Sequence, residues 1–212
     1  MYLPKHFEET RLEILYALIH AHPLGALVTL GPDGIDANHI PFELDPQPAP
    51  FGTLRGHVAR ANPLWREPPR CVDALVIFQG PQAYVSPSWY PSKQESGKVV
   101  PTWNYVVVHA HGPLRIVDDR DWLRALVERL TRRHEAGRRE PWDVTDAPPD
   151  FIETQLAAIV GIEIPIARLA GKWKASQNRL PRDRSGAAEG LAREGGESAA
   201  AMADLVRRTL ED

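Results

Sequence analysis

Cysteine is almost missing from this sequence. Cys71 is the only one among 212 residues, so no intrachain disulfide can form. A chain without disulfides suits a reducing compartment, and we therefore expect a cytoplasmic protein. Cys71 also has no evident activating neighbour apart from the adjacent Arg70, which favours an unreactive thiol.

Long apolar runs are missing too. None approaches the roughly 20 residues that a membrane-spanning helix needs, and Pro4, His6 and acidic residues occupy the place of a signal-peptide core. Phosphate-binding glycine loops, the serine-hydrolase elbow and the H-E-x-x-H zinc motif are also absent. The lack of long apolar runs predicts no membrane partner. Without any of these motifs, we can assign no residue as catalytic.

Positive charge is not in excess, since the formal net charge is -3. Such a balance argues against a broad electrostatic surface for nucleic acid. The C-terminal segment could be mistaken for a helix-turn-helix, but Ala199–Asp212 carries two arginines against three carboxylates. We interpret it as a helical hairpin that packs on the main domain or on a partner subunit.

Proline is abundant, with 20 residues that separate short apolar runs. This punctuation predicts short antiparallel strands in a closed or nearly closed barrel, with helices at its ends. The strands are expected at 24–30, 35–43, 52–59, 72–79, 83–86, 98–112, 114–117 and 160–169. The helices are expected at 7–21, from an Asp118 cap to Gly137, from Pro149 to Ala158, and after a Ser198 cap. The predicted domains are a barrel over 1–170 and a helical extension over 171–212.

The strand from Lys98 to Gly112 has an unusual entry. Alternation puts Thr102 and Asn104 on one face and Trp103 and Tyr105 on the other. A core strand does not need these polar and aromatic groups together, because each polar group must find a partner. The pattern fits a plug at the barrel end or the lining of a pocket for a planar, polar-edged ligand.

Another polar group marks the end of the third strand. His57, Arg60 and Asn62 bring a positive charge, an amide and free backbone N–H groups, which suit a phosphate. The alternative is a solvated turn in which Asn62 merely stops the strand. Arg55 shares a face with His57 and either joins this group or points to solvent.

A histidine pair and a basic run are two further candidate binding groups. His109 and His111 have the spacing of two metal ligands on one strand face, but no third ligand stands at a recognisable distance, so no metal is predicted. The run Lys172-Trp173-Lys174, followed by Gln177 and Arg179, suits closure over an anion with Trp173 as a stacking plate. The same run equally suits a purely structural cap that packs on the main domain.

Several long motifs resemble a known family. They are MYLPKHF, HIPFEL, GHVARANPLW, IFQGPQAYVSPSWYPSK, GKVVPTWNYVVVHAHG, the PW pair, IVGIEIPI and KASQNR, in this order over nearly the whole chain. The sequence resembles the PaiB-type FMN-binding negative transcriptional regulators of the flavin split-barrel superfamily. One departure is Ala175 after Lys174, where a bulkier apolar residue is expected.

The resemblance implies a homodimeric split β-barrel with FMN at the subunit interface. It also implies repression of sporulation and protease genes, so that DNA is a partner by resemblance alone. The implied cofactor-binding residues are Arg55, His57, Arg60 and Asn62 toward the phosphate, Lys98, Thr102, Trp103 and Asn104 near the ring, and Lys174 and Gln177.

A second functional hypothesis is an FMN-dependent oxidoreductase that acts on a small molecule. In such an enzyme the flavin itself carries the hydride or the electrons. Tyr90, Tyr105 and His109 are the candidate proton donors. Haem handling through a histidine, as in other split-barrel proteins, is a third and less favoured hypothesis.

Overall fold

A computed structural model describes residues 1–31, 34–66 and 73–211. These residues form ten β-strands, six α-helices and several short 3-10 turns. The strands are β1 (Glu8–Glu9), β2 (Leu24–Gly31), β3 (Gly34–Pro41), β4 (Glu43–Asp45), β5 (Thr53–Ala59), β6 (Ala74–Val85), β7 (Thr102–Gly112), β8 (Arg115–Val117), β9 (Ile159–Pro165) and β10 (Arg168–Lys174). The helices are α1 (Leu12–Ala21), α2 (Ser92–Ser96), α3 (Arg120–Glu135), α4 (Pro149–Ala157), α5 (Pro181–Glu194) and α6 (Glu197–Arg208).

The chain divides into two compact units. The first unit comprises Met1–Ala21, Gln79–His109 and Ala170–Asp212, and the second comprises His22–Phe78 and Ala110–Leu169. Strands β6, β7 and β10 each begin in one unit and end in the other. The predicted domain boundary at residue 170 falls inside β10, and the division into a barrel and an extension stays a prediction.

The first unit has the strand order β1-β10-β7-β6. Its short β1 pairs antiparallel with β10, with Glu9 opposite Gly171. A side chain at Gly171 would meet Leu15 of α1 at 2.2 Å, so this glycine lets the helix lie close to the strand. Helices α5 and α6 form a hairpin whose buried residues, among them Leu191, Met202 and Val206, pack together with Ala83 of β6.

The second unit contains the strand orders β6-β2-β3 and β4-β5-β9-β8. These strands pair antiparallel, with Val28 opposite Leu75 and Gly56 opposite Ile162. Phe42 and Phe78 meet edge to face in the core, with ring centroids 6.0 Å apart. Helix α3 packs on α4 through an apolar cluster that includes Leu123, Ile152 and Leu156.

Several predicted elements are confirmed, with shifted ends. The β2–β3 hairpin is present, although Pro32 and Asp33 at its turn lie outside the described residues. One face of β7 is buried at Asn104, Val106, Val108 and Ala110, as the alternation predicts, and Val107 of the opposite face is buried as well. Helix α3 is capped by Asp119, one residue after the predicted Asp118.

Three predictions about local structure are wrong. Gly80-Pro81 does not divide two strands, because β6 is continuous and Gly80 instead leaves room for Val106, which its side chain would meet at 2.6 Å. The strand expected over 160–169 is two strands, since β9 ends at Pro165 and β10 begins at Arg168. Helix α1 starts at Leu12 rather than residue 7, because Glu8–Glu9 pairs with β10.

Ser198 and Cys71 are two further residues for which the sequence makes a prediction. Ser198 lies inside α6 and does not cap it; its hydroxyl exchanges hydrogen bonds with the backbone of Gln82, at 2.9 and 2.8 Å. Cys71 lies outside the described residues, so its environment stays a prediction. Within the described ranges, no helix has the length and apolar character needed to cross a bilayer.

Candidate functional site

A polar group at the start of β7 and the end of β10 is the first feature of the site. The Lys174 ammonium donates to Thr102 Oγ1 at 2.5 Å and also to the carbonyl oxygen of Trp103. Beside it the buried Asn104 side chain donates from Nδ2 to Ser176 Oγ at 2.9 Å. We call Thr102, Trp103, Asn104, Lys174 and Ser176 the Lys174 cluster.

Asn104 has an unusual hydrogen-bonding state. Its side chain is 1% exposed, and its Oδ1 accepts no hydrogen bond within the described part of the chain. Leaving a buried acceptor unsatisfied costs on the order of 1–3 kcal/mol. Because buried polar groups are normally hydrogen-bonded, the unsatisfied oxygen marks Asn104 as a residue whose position needs a structural or functional reason.

The loop after β10 is shaped by side-chain hydrogen bonds to the backbone. Gln177 accepts from the Ala175 N–H at 2.7 Å and donates to the Trp173 carbonyl oxygen at 2.5 Å. Ser176 has a φ of 65°, a left-handed conformation that is uncommon for a residue with a side chain. The loop is therefore held in a strained geometry that keeps the Ser176 hydroxyl on Asn104.

Positive charge accumulates around this cluster. Burial lowers the pKa of Lys174, and the nearby charges of Lys172 and Arg179 lower that pKa further. Lys172 lies 5.3 Å from the ring of Tyr105, and the Arg179 guanidinium lies 5.2 Å from the ring of Tyr90. No carboxylate forms an ion pair with Lys172, Lys174 or Arg179 in residues 1–31, 34–66 and 73–211. The arrangement favours an anionic ligand.

An aromatic pair lies beside the cationic group. Trp103 is 54% exposed, and its ring meets that of Tyr84 edge to face at 6.1 Å. A half-exposed indole next to hydrogen-bond donors can stack on a planar ligand. The structure therefore places Thr102, Trp103, Asn104, Lys174 and Gln177 of the predicted site in one region of the first unit.

The predicted phosphate group lies in the second unit, where its arginines already bind carboxylates. Arg55 donates to Asp45 at 2.8 Å and to Glu163 at 2.9 Å. Arg60 binds Asp118 through both terminal nitrogens, at 3.0 and 2.5 Å. The hydrogen bond with Asp118 is the main cause that raises the pKa of Arg60. An anion that binds Arg60 would have to compete with the Asp118 carboxylate.

Asn62 and Lys98 complete the predicted set. Asn62 donates to Asn38 Oδ1 at 2.7 Å and caps the following turn by accepting from Leu64 N. Lys98 is exposed in the segment after α2, and its backbone N–H donates to Ser96 Oγ at 3.2 Å. The role of both residues in cofactor binding stays a prediction.

His57 has a different environment from its predicted companions. It lines a cavity of about 320 Å³ beneath α3, whose other walls are mainly apolar. Burial lowers the pKa of His57, and its Nδ1 is buried without a hydrogen-bond partner among the described residues. Burial therefore favours the neutral form of the imidazole.

The pKa of His57 makes the stability of the protein depend on pH. The unfolded chain takes up a proton at a higher pH than the folded imidazole, so the free energy of unfolding falls as pH drops through about 6.5. Between about pH 7.5 and about pH 5.5, wild type should lose more stability in urea denaturation than His57→Phe. An equal loss in the two proteins would contradict the buried, neutral imidazole.

The histidine pair on β7 gives no sign of a metal site. His109 and His111 both interact with other groups in the described structure. No group of three or more His, Cys, Asp or Glu side chains among the described residues has a geometry that could hold a metal ion.

Ser176 is the site residue that sequence reasoning missed. It lies within the KASQNR motif, but a serine in the left-handed region gives no local signal. Lys172 and Arg179 belong to the basic run but not to the predicted cofactor-binding set. The sequence shows that these two residues lie on either side of Lys174. It does not show that they form no ion pair with a carboxylate among the described residues.

Comparison with known proteins identifies the family. Residues 1–168 match the model of a family described as "Putative FMN-binding domain". The chain belongs to this FMN-binding family. The cofactor that this family assignment gives is FMN, as the sequence motifs implied.

Two full-length relatives support the assignment. The FMN-binding protein is 34% identical over 213 residues to the protease synthase and sporulation protein PAI 2 of Bacillus subtilis, covering 100% of this chain and 99% of that one. It is 35% identical over 242 residues to the uncharacterized protein AN0679 of Emericella nidulans, covering 98% and 96%. The resemblance to the PaiB-type regulators is confirmed.

Solved structures confirm the fold. The flavocytochrome Anf3 from Azotobacter vinelandii matches with a TM-score of 0.58 at 12% identity, covering 81% of this chain and 72% of that one. The FAD and heme binding protein from Mycobacterium smegmatis matches with a TM-score of 0.56 at 18% identity, covering 79% and 73%. The prediction of a mainly β split barrel with flanking helices is confirmed.

The Lys174 cluster suits the chemistry of FMN. The cofactor has an anionic phosphate and a planar ring with a polar edge. The cluster offers a cationic side chain that has no carboxylate ion pair among the described residues, a hydroxyl and a half-exposed indole. These groups match both parts of the ligand.

Proposed function

We propose that the protein is a cytoplasmic, homodimeric FMN-binding regulator whose flavin is held by the Lys174 cluster. The observation that carries the proposal is the charge around Lys174. Its ammonium has two cations nearby and no carboxylate ion pair within the described residues. A partly buried positive charge of this kind is stabilised by an anionic ligand.

Each member of the cluster has a distinct proposed role. Lys174 supplies charge and a hydrogen bond, Thr102 orients the Lys174 ammonium, and the indole of Trp103 covers the ring. Ser176 acts as a positioning residue because it fixes the Asn104 amide. When bound, FMN supplies one- or two-electron redox chemistry, which the protein tunes through nearby charge and hydrogen bonds.

The phosphate contacts at Arg55, Arg60 and Asn62 remain part of the proposal as the weaker set, whereas His57 is not kept in it, because burial lowers its pKa and favours the uncharged imidazole. Arg60 is the member to test, because its side chain already binds Asp118 and the carbonyl oxygens of Ala157 and Ile159. If FMN phosphate replaces Asp118 there, Arg60→Gln weakens FMN binding. If only the Lys174 cluster holds the cofactor, Arg60→Gln leaves the affinity unchanged.

A visible spectrum and a molar mass test the flavoprotein and its assembly. Purified protein with added FMN should show the flavin absorption band after gel filtration, at twice the chain mass of 23.7 kDa. Colourless protein that does not take up FMN would reject the flavin site. A coloured monomer would reject the interface location and leave the cluster itself standing.

Direct action on DNA needs a separate test. The C-terminal α6 offers little free positive charge, since Arg207 binds Asp204 at 2.6 Å. Titration of the FMN-loaded protein against promoter-length DNA, at several salt concentrations, should show a steep salt dependence and a large preference over random DNA if repression is direct. Binding no tighter than to random DNA would reject direct repression.

A flavin-dependent oxidoreductase is the second candidate function. The ion-paired arginines of α3 favour it over DNA binding, because Arg120 and Arg124 both bind Glu153 and Arg129 binds Glu43. Bleaching of the flavin band by NADH or NADPH under anaerobic conditions, followed by reoxidation with an added acceptor, would support this activity. A flavin band unchanged by both nucleotides would count against it.

A further inference from the structure

The cavity beneath α3 is not explained by flavin binding at the Lys174 cluster. It lies entirely in the second unit, and none of its residues belongs to that cluster. Its volume of about 320 Å³ is within the range of small-molecule sites, which begin near 300 Å³. We propose that this cavity binds a small, uncharged aromatic molecule that carries one hydroxyl or amide group.

The walls determine the apolar character of the ligand. Val127 and the buried Leu130 present one face of α3, and Pro41 closes the side at the end of β3. No lysine or arginine among the described residues lines the cavity. A phosphate or carboxylate would lose its hydration there without gaining a cation in return, so charged ligands are disfavoured.

His57 determines the polar part of the ligand. His57 lines the cavity, and burial lowers its pKa, which favours the neutral imidazole. A neutral imidazole has one N–H and one lone pair. A ligand hydroxyl can donate to the lone pair or accept from the N–H, so it satisfies this side chain in either tautomer.

Trp142 forms the mouth of the cavity. Its indole is 45% exposed, which is large for a tryptophan with no evident role in the core. The backbone holds it in place, because the Trp142 N–H donates to Glu135 Oε2 at 3.2 Å while Arg138 binds the other oxygen of that carboxylate at 2.9 Å. Glu135 is thereby occupied within the protein, and the indole offers a planar face to an aromatic ligand.

The remaining polar lining does not change this assignment. Thr131 and His134 lie on α3 at the cavity, and His134 is exposed to solvent. Together they can contact a polar edge of the ligand at the opening. The interior contact that selects for a hydroxyl or amide is His57.

A pair of probes that differ only in the hydroxyl tests the site. FMN-loaded protein is titrated with 2-naphthol and with 2-methylnaphthalene, and binding is followed by the fluorescence anisotropy of the probe. Wild type should bind both, and 2-naphthol more tightly. His57→Phe should weaken 2-naphthol about five-fold, as expected for one lost hydrogen bond, and leave 2-methylnaphthalene unchanged or tighter.

An exposed pair of aromatic residues supplies the matched controls. Trp142→Ala should weaken both probes several-fold, whereas Phe151→Ala, which removes a similarly exposed ring (53%) from α4, should weaken neither. Because Trp142 is half-exposed, this comparison stays decisive even if His57→Phe does not fold. The absence of saturable binding, or equal losses in the two alanine variants, would overturn the proposal.

The bound flavin reports whether the cavity is part of the cofactor site. The FMN absorption band should stay in the protein fraction after ultrafiltration at saturating 2-naphthol. Release of FMN in proportion to probe binding would overturn the proposal, because the cavity would then belong to the flavin site. A protein that fails to bind FMN at all but binds 2-naphthol through His57 would reject the proposed flavin site and leave the cavity ligand supported.

Discussion

Lys174→Gln is expected to weaken FMN binding about 10- to 100-fold. The substitution removes a positive charge that has no carboxylate ion pair in the described structure, and with it a charge-assisted hydrogen bond of about 1.5–3 kcal/mol. Titration of apoprotein with FMN, followed by quenching of flavin fluorescence, measures the change. Lys174→Arg retains the charge and should recover part of the lost affinity.

Two controls separate the loss of a ligand contact from loss of structure. Lys93→Gln removes an exposed lysine of the same unit, which donates to Ser88 at 3.1 Å, and should bind FMN as wild type does. The thermal midpoint of apo Lys174→Gln should stay close to wild type, because the lysine is only partly buried. Equal FMN affinity in wild type and Lys174→Gln would contradict the role given to the Lys174 cluster.

Gly190→Ala and Gly186→Ala are expected to destabilise the protein by about 1–3 kcal/mol each, the usual range for overpacking. The two glycines lie one turn apart on α5 and both face Trp89. A side chain at Gly190 would meet the Trp89 ring at 2.1 Å, and one at Gly186 would meet the Trp89 carbonyl oxygen at 2.1 Å. Alanine is otherwise the better helix former, so a loss of stability can only come from this contact.

Urea denaturation with a double-mutant cycle isolates that contact. In a Trp89→Ala background, Gly190→Ala should become neutral or stabilising, because the ring is gone. Gly137→Ala is the matched control, since nothing lies within 4 Å of a side chain added there. If Gly190→Ala is as harmless as Gly137→Ala in the wild-type background, the close packing of α5 on Trp89 is wrong.

Sequence patterns predicted the elements that depend on local periodicity. The β2–β3 hairpin follows from two apolar runs around a glycine-proline turn, and the alternation of β7 follows from period two. Helix α3 was visible from its apolar stripe and acidic cap. These signals lie within a few residues of one another in the chain, so no tertiary information was needed.

The errors arose where glycine or proline has a tertiary reason. Gly80-Pro81 looks like a turn, but Gly80 lies inside β6 because Val106 and Leu18 pack against it. Glu8–Glu9 looks like part of an amphipathic helix, yet Glu9 is buried in β1, with its carboxylate bound to Arg11 at 2.6 Å. The local sequence shows neither the packing of Val106 and Leu18 on Gly80 nor the pairing of Glu8–Glu9 with β10.

The candidate site shows the same division. Residue types and a family resemblance pointed to Thr102, Trp103, Asn104, Lys174 and Gln177, and the structure brings these five residues into one region. The resemblance could not show that Arg55 and Arg60 bind carboxylates, because Glu163 and Asp118 are distant in the sequence. Nor could it reveal the left-handed Ser176 that holds Asn104.

The most direct test of the account is a crystal structure of the FMN complex. We predict FMN within about 3 Å of Lys174 Nζ, with the flavin ring against Trp103 and the Asn104 amide still bonded to Ser176. Flavin density elsewhere, with Lys174 still donating only to Thr102 and the Trp103 carbonyl oxygen, would contradict the proposed site.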